Sequence, residues 1–280
     1  MPEVRLAAPS IVTSRRKGPV LLSVPHAGRD VGPGLARRAC GGAAALHALC
    51  DPYVDALVRP LFDRGFGGIV AMAPRAAIDV NRSTEDCDPM VHPDAPPPPP
   101  SSKAARGLGV VIGRRADGKP LWKEPLPEAM FAVWRADAWN PYHDELERVL
   151  AETRRREGIA ILLDCHSMPP LSRGGARVVL GDRNGQSAAP WVADVAEGCL
   201  REMGLPVARN FPYAGGEIAR RHGDPESGVH VLQIEVDRTL YLDHAQRRPG
   251  SGMGRGRALF AALAEGMEQA AHRAPMRAAE

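Results

Sequence analysis

The run Ile159-Ala160-Ile161-Leu162-Leu163 passes directly into Asp164-Cys165-His166-Ser167-Met168-Pro169. A short stretch dense in Ile and Leu reads as a buried strand. Its break into Asp and His sets polar, metal-competent side chains at the strand's carboxyl end, where open α/β sheets build their ligand sites. The pattern recurs where Val20-Leu21-Leu22-Ser23-Val24 runs into Pro25-His26-Ala27-Gly28. Two strands that end in His point to two nitrogen ligands converging on one ion.

Outward from these stretches, helical and strand patterns alternate. Leu46 to Arg64 carries apolar residues near helical spacing and is closed by Gly65, Gly67 and Gly68. Strands are expected at Ile69–Ala73, Ala176–Leu180 and Val229–Val236. Helices are expected at Leu126–Arg156, with an interruption near Pro141, at Trp191–Met203 and at Ala258–Ala271, before a fraying end at Arg273–Glu280. This order indicates an α/β sandwich on a mainly parallel sheet. Residues 92–103 contain five consecutive prolines and read as an exposed, polyproline-like surface loop inside the chain.

The 280 residues suffice for one large α/β domain, the expected arrangement, with two small domains as the alternative. No apolar stretch is long enough to span a bilayer. The basic residues Arg15, Arg16 and Lys17 precede too short an apolar run for a secretory signal, so a cytoplasmic protein is expected. The net charge of +3 is interspersed, and Arg154-Arg155-Arg156 reads as the end of a solvated helix; no nucleic-acid partner is expected. Five cysteines without a CxxC pair read as reduced thiols.

If the metal is catalytic zinc, two His call for a carboxylate as third ligand and an open position. Asp51 and Asp55 are the candidates. Asp51 also reads as a helix cap with Pro52 in the first turn, and spacing does not choose between these roles. In Gln233-Ile234-Glu235-Val236-Asp237-Arg238 the polar residues alternate with apolar ones, so the carboxylates share one face. A carboxylate there can move protons at a metal site, or simply pair with Arg238. Arg75 with Asp79-Val80-Asn81-Arg82-Ser83 suits a carboxylate-bearing substrate, or forms a structural bridge from Arg82 to Asp79.

These motifs together resemble the N-formylglutamate amidohydrolases. The matching segments are Val24–Gly28, Asp51–Asp55, Ile78–Ser83, Pro141–His143, Asp164–Pro169, Pro212–Gly216 and Gln233–Arg238 with Leu240-Tyr241 following. They keep the family order, and their joint occurrence is specific where each alone is not. The resemblance extends to zinc carboxypeptidases and to the aspartoacylase and succinylglutamate desuccinylase group. It implies a three-layer α/β/α sandwich around a mixed, mostly parallel sheet, one zinc ion per chain, and a role in histidine degradation. It also implies His26 and His166 as zinc ligands, Glu235 as general base, and Asn81 with Arg82 as the holders of a substrate carboxylate. In the relatives the carboxylate ligand comes three residues after the first His. That position is Arg29 here, which cannot bind a cation, so the third ligand is expected from Asp51 or, behind it, Asp55.

The expected reaction is hydrolysis of a small N-acylated amino acid, N-formyl-L-glutamate first, with His143, Arg75 and Arg114 as candidate oxyanion donors. Three alternatives are another N-acyl amino acid or acidic dipeptide, a non-catalytic ligand-binding protein on the same fold, and a cysteine hydrolase using Cys165. The last is disfavoured because neighbours on a strand point to opposite faces. Ser167 lacks the Gly-x-Ser-x-Gly elbow of a serine nucleophile.

Overall fold

A computed structural model describes residues 4–172 and 175–273. The chain divides into two compact units: Met1–Ser10, Pro25–Asp51 and Val70–Glu145 form one, and Ile11–Val24, Pro52–Ile69 and Leu146–Glu280 the other. The fraying expected at Arg273–Glu280 falls, apart from Arg273, outside the described residues.

The second unit is built on a sheet. Its strands are β1 (Ser10–Val12), β2 (Val20–Val24), β3 (Gly67–Val70), β4 (Ala160–Met168), β5 (Val178–Gly181), β6 (Val207–Arg209) and β7 (Val229–Asp237). They lie in the order β1-β3-β2-β4-β7-β5-β6. β2, β4 and β7 are parallel neighbours, β5 runs antiparallel to β7, and β6 runs parallel to β5. Every residue of β2 and β4 is buried. Burial on both faces is why these strands read as continuous apolar runs.

Helices cover both faces of the sheet. Helix α8 (Met253–Arg273) packs on α3 (Val54–Asp63), on α6 (Pro190–Glu202) and on β2. Trp191 of α6 meets His230 edge-on at 5.6 Å, which assigns α6 to the face bearing the even-numbered side chains of β7. Gly216 N–H, just before α7 (Glu217–His222), donates to Gln233 Oε1, which assigns that loop to the odd-numbered face. The mixed α/β/α architecture is the one expected.

Some boundaries differ from the expectation. β4 does not stop at Leu163. Its ladder with β7 continues through Asp164↔Gln233 and His166↔Glu235 to Met168↔Asp237, so the polar residues lie inside the strand. The helix expected over 46–64 is two, α2 (Gly42–His47) and α3. Pro52 disfavours helical geometry at Asp51, and Tyr53 then enters the left-handed region at φ 63°. Over 126–156 the interruption precedes Pro141: α4 (Glu128–Trp134) passes through a π-helical stretch, Arg135–Trp139, into α5 (Asn140–Glu157). The Pro141 ring crowds the carbonyl four residues back, and the Asn140 N–H reaches five residues back to Arg135 O.

The first unit contains α1 (Pro33–Arg38), which packs on α2, and α4, and its buried residues include Leu35, Val110, Leu121 and Trp134. Trp134 donates to Val4 O at 2.7 Å and lies 6.0 Å from Trp122. Residues 92–103 have neither helix nor strand and are largely exposed.

Candidate active site

His26 follows the end of β2 in a sharp turn. Gly28 is required there, since a Cβ would lie 2.1 Å from Ala73 O. The Asp51 N–H donates to His26 O at 2.9 Å, which draws a carboxylate 25 residues away onto the histidine. His26 Nδ1 lies 3.2 Å from Asp51 Oδ2, and its Nε2 lies 2.7 Å from Asp79 Oδ1. The three side chains are almost wholly buried. Asp51 is therefore not a helix cap: Tyr53 occupies that position of α3 without a side-chain cap bond, and the Asp51 carboxylate turns to His26 instead.

Asp79 anchors the surrounding turn. Its Oδ2 accepts from Arg75 Nε at 3.0 Å and its Oδ1 from Asn81 N–H at 2.8 Å. Burial works against its charge, but His26, Arg75 and Arg82 together hold the carboxyl well below the usual range. Arg82 donates to Asn81 O at 2.7 Å and Leu108 O at 3.2 Å, and Arg75 rather than Arg82 forms the close pair with Asp79. His143 Nε2 donates to Val80 O at 2.9 Å, and Trp139 Nε1 donates to Arg82 O at 3.0 Å. Those two rings lie 4.1 Å apart, tilted at 43°, and their hydrogen bonds hold the turn that carries Asp79, Asn81 and Arg82.

His166 and Asp164 project from one face of β4. His166 Nε2 lies 2.9 Å from Asp164 Oδ2, and Asp164 Oδ1 accepts from Ser23 Oγ at 2.7 Å. Glu235 is the register partner of His166 on β7, so the two side chains leave the sheet on the same face. Gln233 Nε2 donates to Glu235 Oε1 at 2.9 Å. Asp237 pairs with Arg177 at 2.7 Å, not with Arg238, whose Nε donates to Ser167 Oγ. Burial and the neighbouring Arg221 push His222 down to about 4, so it is neutral at physiological pH. Cys165 lies on the opposite face from His166, and burial raises its thiol far above the ordinary range.

One ligand atom from each of the buried His26, Asp51 and His166 lies within 4.8 Å of the others. This group can hold a metal ion: it offers two imidazole nitrogens and one carboxylate, and each imidazole is backed by a further carboxylate, Asp79 or Asp164. Asp55 stands in the first turn of α3, outside this group. Arg75, Asn81, Arg82 and His143 gather on the Asp79 turn. The Arg114 guanidinium donates to Gly118 O in its own hairpin and to Met90 Sδ, at 3.0 Å each. Sequence reasoning missed Asp79 as the partner of His26; the two lie 53 residues apart and no local spacing links them.

The family model for N-formylglutamate amidohydrolase matches residues 18–242. The N-formylglutamate deformylase of Pseudomonas putida is 30% identical over 236 residues, covering 81% of this chain and 83% of its own. That of Pseudomonas aeruginosa is 30% identical over 237 residues, with 82% and 84% covered. The crystal structure of an N-formylglutamate amidohydrolase from Ralstonia eutropha superposes with a TM-score of 0.86 at 28% identity, covering 96% of this chain and 100% of that one.

Proposed function

Because the chain belongs to the N-formylglutamate amidohydrolase family, we propose that it is a zinc-dependent hydrolase of N-formyl-L-glutamate, releasing formate and L-glutamate. The observation that carries this reading is the buried His26–Asp51–His166 group, with Glu235 in register beside His166. Two nitrogens and one carboxylate are a catalytic-zinc donor set with a position left open. His26, Asp51 and His166 would hold the ion, with the two histidines backed by Asp79 and Asp164. Zinc bound there supplies a Lewis acid for the formyl carbonyl and lowers the pKa of water.

The protein's own groups do the rest. Glu235 takes a proton from the attacking water as the water oxygen bonds to the formyl carbon. When the C–N bond breaks, the same carboxyl returns a proton to the departing amine. Atoms balance: one water is consumed, and formate and the free amino acid leave. Arg82 and Asn81 hold a substrate carboxylate, a task suited to a planar guanidinium beside a neutral amide. Arg75, close to both Asp79 and Asp51, balances their charge, and His143 fixes the Asp79–Arg82 turn. We give Arg114 no part in the reaction.

In this reading the chain carries one catalytic domain, since the family match runs over residues 18–242. Five free cysteines suit a reducing, cytoplasmic setting. No helix among the described residues is long and apolar enough to cross a membrane. A series of N-formyl-, N-acetyl- and N-succinyl-L-glutamate tests the substrate. The formyl compound is expected to give the highest kcat/KM; a preference for a longer acyl group would overturn the assignment while leaving the hydrolase.

A further inference from the structure

Gln233 stands two residues before Glu235 on β7, with its side chain on the same face. Its amide has partners of opposite kind at its two ends. Oε1 accepts from Gly216 N–H at 2.9 Å, and Nε2 donates to Glu235 Oε1 at 2.9 Å. Only one orientation of the amide satisfies both. Turned over, it would set its NH2 against an N–H and its carbonyl oxygen against a carboxylate. The Gly216 N–H therefore decides which end of the amide meets Glu235.

That N–H is itself held in place. The loop leading to it crosses the sheet directly over Gly181, the antiparallel register partner of Gln233. A Cβ at Gly181 would lie 2.7 Å from the Ala214 carbonyl carbon and 2.8 Å from Gly215 N. Only glycine admits the backbone at that distance. The chain Gly181, loop 213–216, Gln233 and Glu235 is thus continuous. It gives a task to the Pro212–Gly216 motif, which the hydrolytic mechanism leaves without one.

We propose that Gln233 is a positioning residue of the reaction, which transmits the placement of the 213–216 loop to the Glu235 carboxylate. This rests on the reading of Glu235 as general base. A glutamate side chain has several rotamers of similar energy. A donor fixed on one carboxylate oxygen selects among them, and proton transfer depends closely on that geometry.

Two substitutions separate the roles of the amide. Gln233→Met removes both bonds. Gln233→Glu keeps an acceptor for Gly216 N–H but turns a like charge toward Glu235. The zinc-loaded variants are compared with the wild type and with Glu235→Gln for kcat, KM, zinc content and Tm. Both Gln233 variants are expected to lose about 10- to 100-fold in kcat, part of the roughly 10²–10⁴ that a general base supplies. KM stays within about twofold and zinc stays bound. If Gln233 serves only to pin the loop, Gln233→Glu keeps wild-type kcat, and that result overturns the inference. Wild-type kcat in a folded Gln233→Met does the same; if Gln233→Met fails to fold, Gln233→Glu decides alone. Undiminished turnover in Glu235→Gln would remove the base assignment and this inference together. Loss of turnover in Glu235→Gln with unaffected Gln233 variants would sink this inference only.

Discussion

His166 and Glu235 are register partners on the adjacent parallel strands β4 and β7. Paired residues on neighbouring strands send their side chains to the same face. A metal-competent imidazole and a carboxylate thus stand side by side on two buried strands. Sites held by strands are more closely fixed than sites on loops.

Glu235→Gln removes the carboxylate proposed as proton acceptor while keeping the shape of the side chain. Turnover is expected to fall by about 10²–10⁴-fold, with one zinc retained per chain. Steady-state kinetics beside metal analysis checks this, and full activity would end the general-base role.

Asp79 backs the first histidine through a 2.7 Å contact to His26 Nε2. Asp79→Asn keeps the size and loses the charge. Zinc affinity is expected to weaken by about 10- to 100-fold, the usual effect of removing a carboxylate behind a metal-bound histidine. Competition with a chelator measures it; unchanged affinity would detach Asp79 from the metal site.

Arg82→Met is expected to raise KM for N-formyl-L-glutamate by about 10- to 100-fold, the loss of a charged hydrogen bond to a carboxylate. Zinc content should stay unaltered. An unchanged KM would move the carboxylate-binding role to another residue.

Burial pushes His230 down to about 4 from an ordinary 6.5, and its Nδ1 accepts from Ala189 N–H at 3.3 Å. The folded state keeps this imidazole neutral, while the unfolded chain protonates it below pH 6.5. The unfolded state therefore binds more protons between pH 6.5 and 4. The contribution is fully present above pH 6.5 and is lost as pH falls through that window. Wild type should lose about 1–2 kcal/mol from this source between pH 7 and 5. His230→Gln keeps an acceptor without titrating, so urea unfolding should show a flatter dependence over that range. A slope identical to wild type would contradict the assignment.

The parts of the fold legible in the sequence are those where one physical signal dominates. β2, the start of β4 and β7 are apolar because both sheet faces are covered. The far half of β4 was hidden because Asp164 and His166 are buried by partners rather than by apolarity. β1, β6, α1 and α7 have three to six residues each, too few for periodicity to register. His26 and His166 were legible as polar breaks in apolar runs. Spacing put Asp51 and Asp55 on one helix face, with Asp51 only slightly ahead, and what the sequence hid is the main-chain bond from Asp51 N–H to His26 O. That bond belongs to the turn at Pro52, where the expected helix breaks.

The central claim is that His26, Asp51 and His166 hold one zinc that is needed to hydrolyse N-formyl-L-glutamate. The most direct test is release of formate and glutamate by metal-stripped protein, with and without added zinc. The account predicts release only with zinc, at one bound ion per chain. Release that persists without metal, or a protein that binds no zinc, would contradict it.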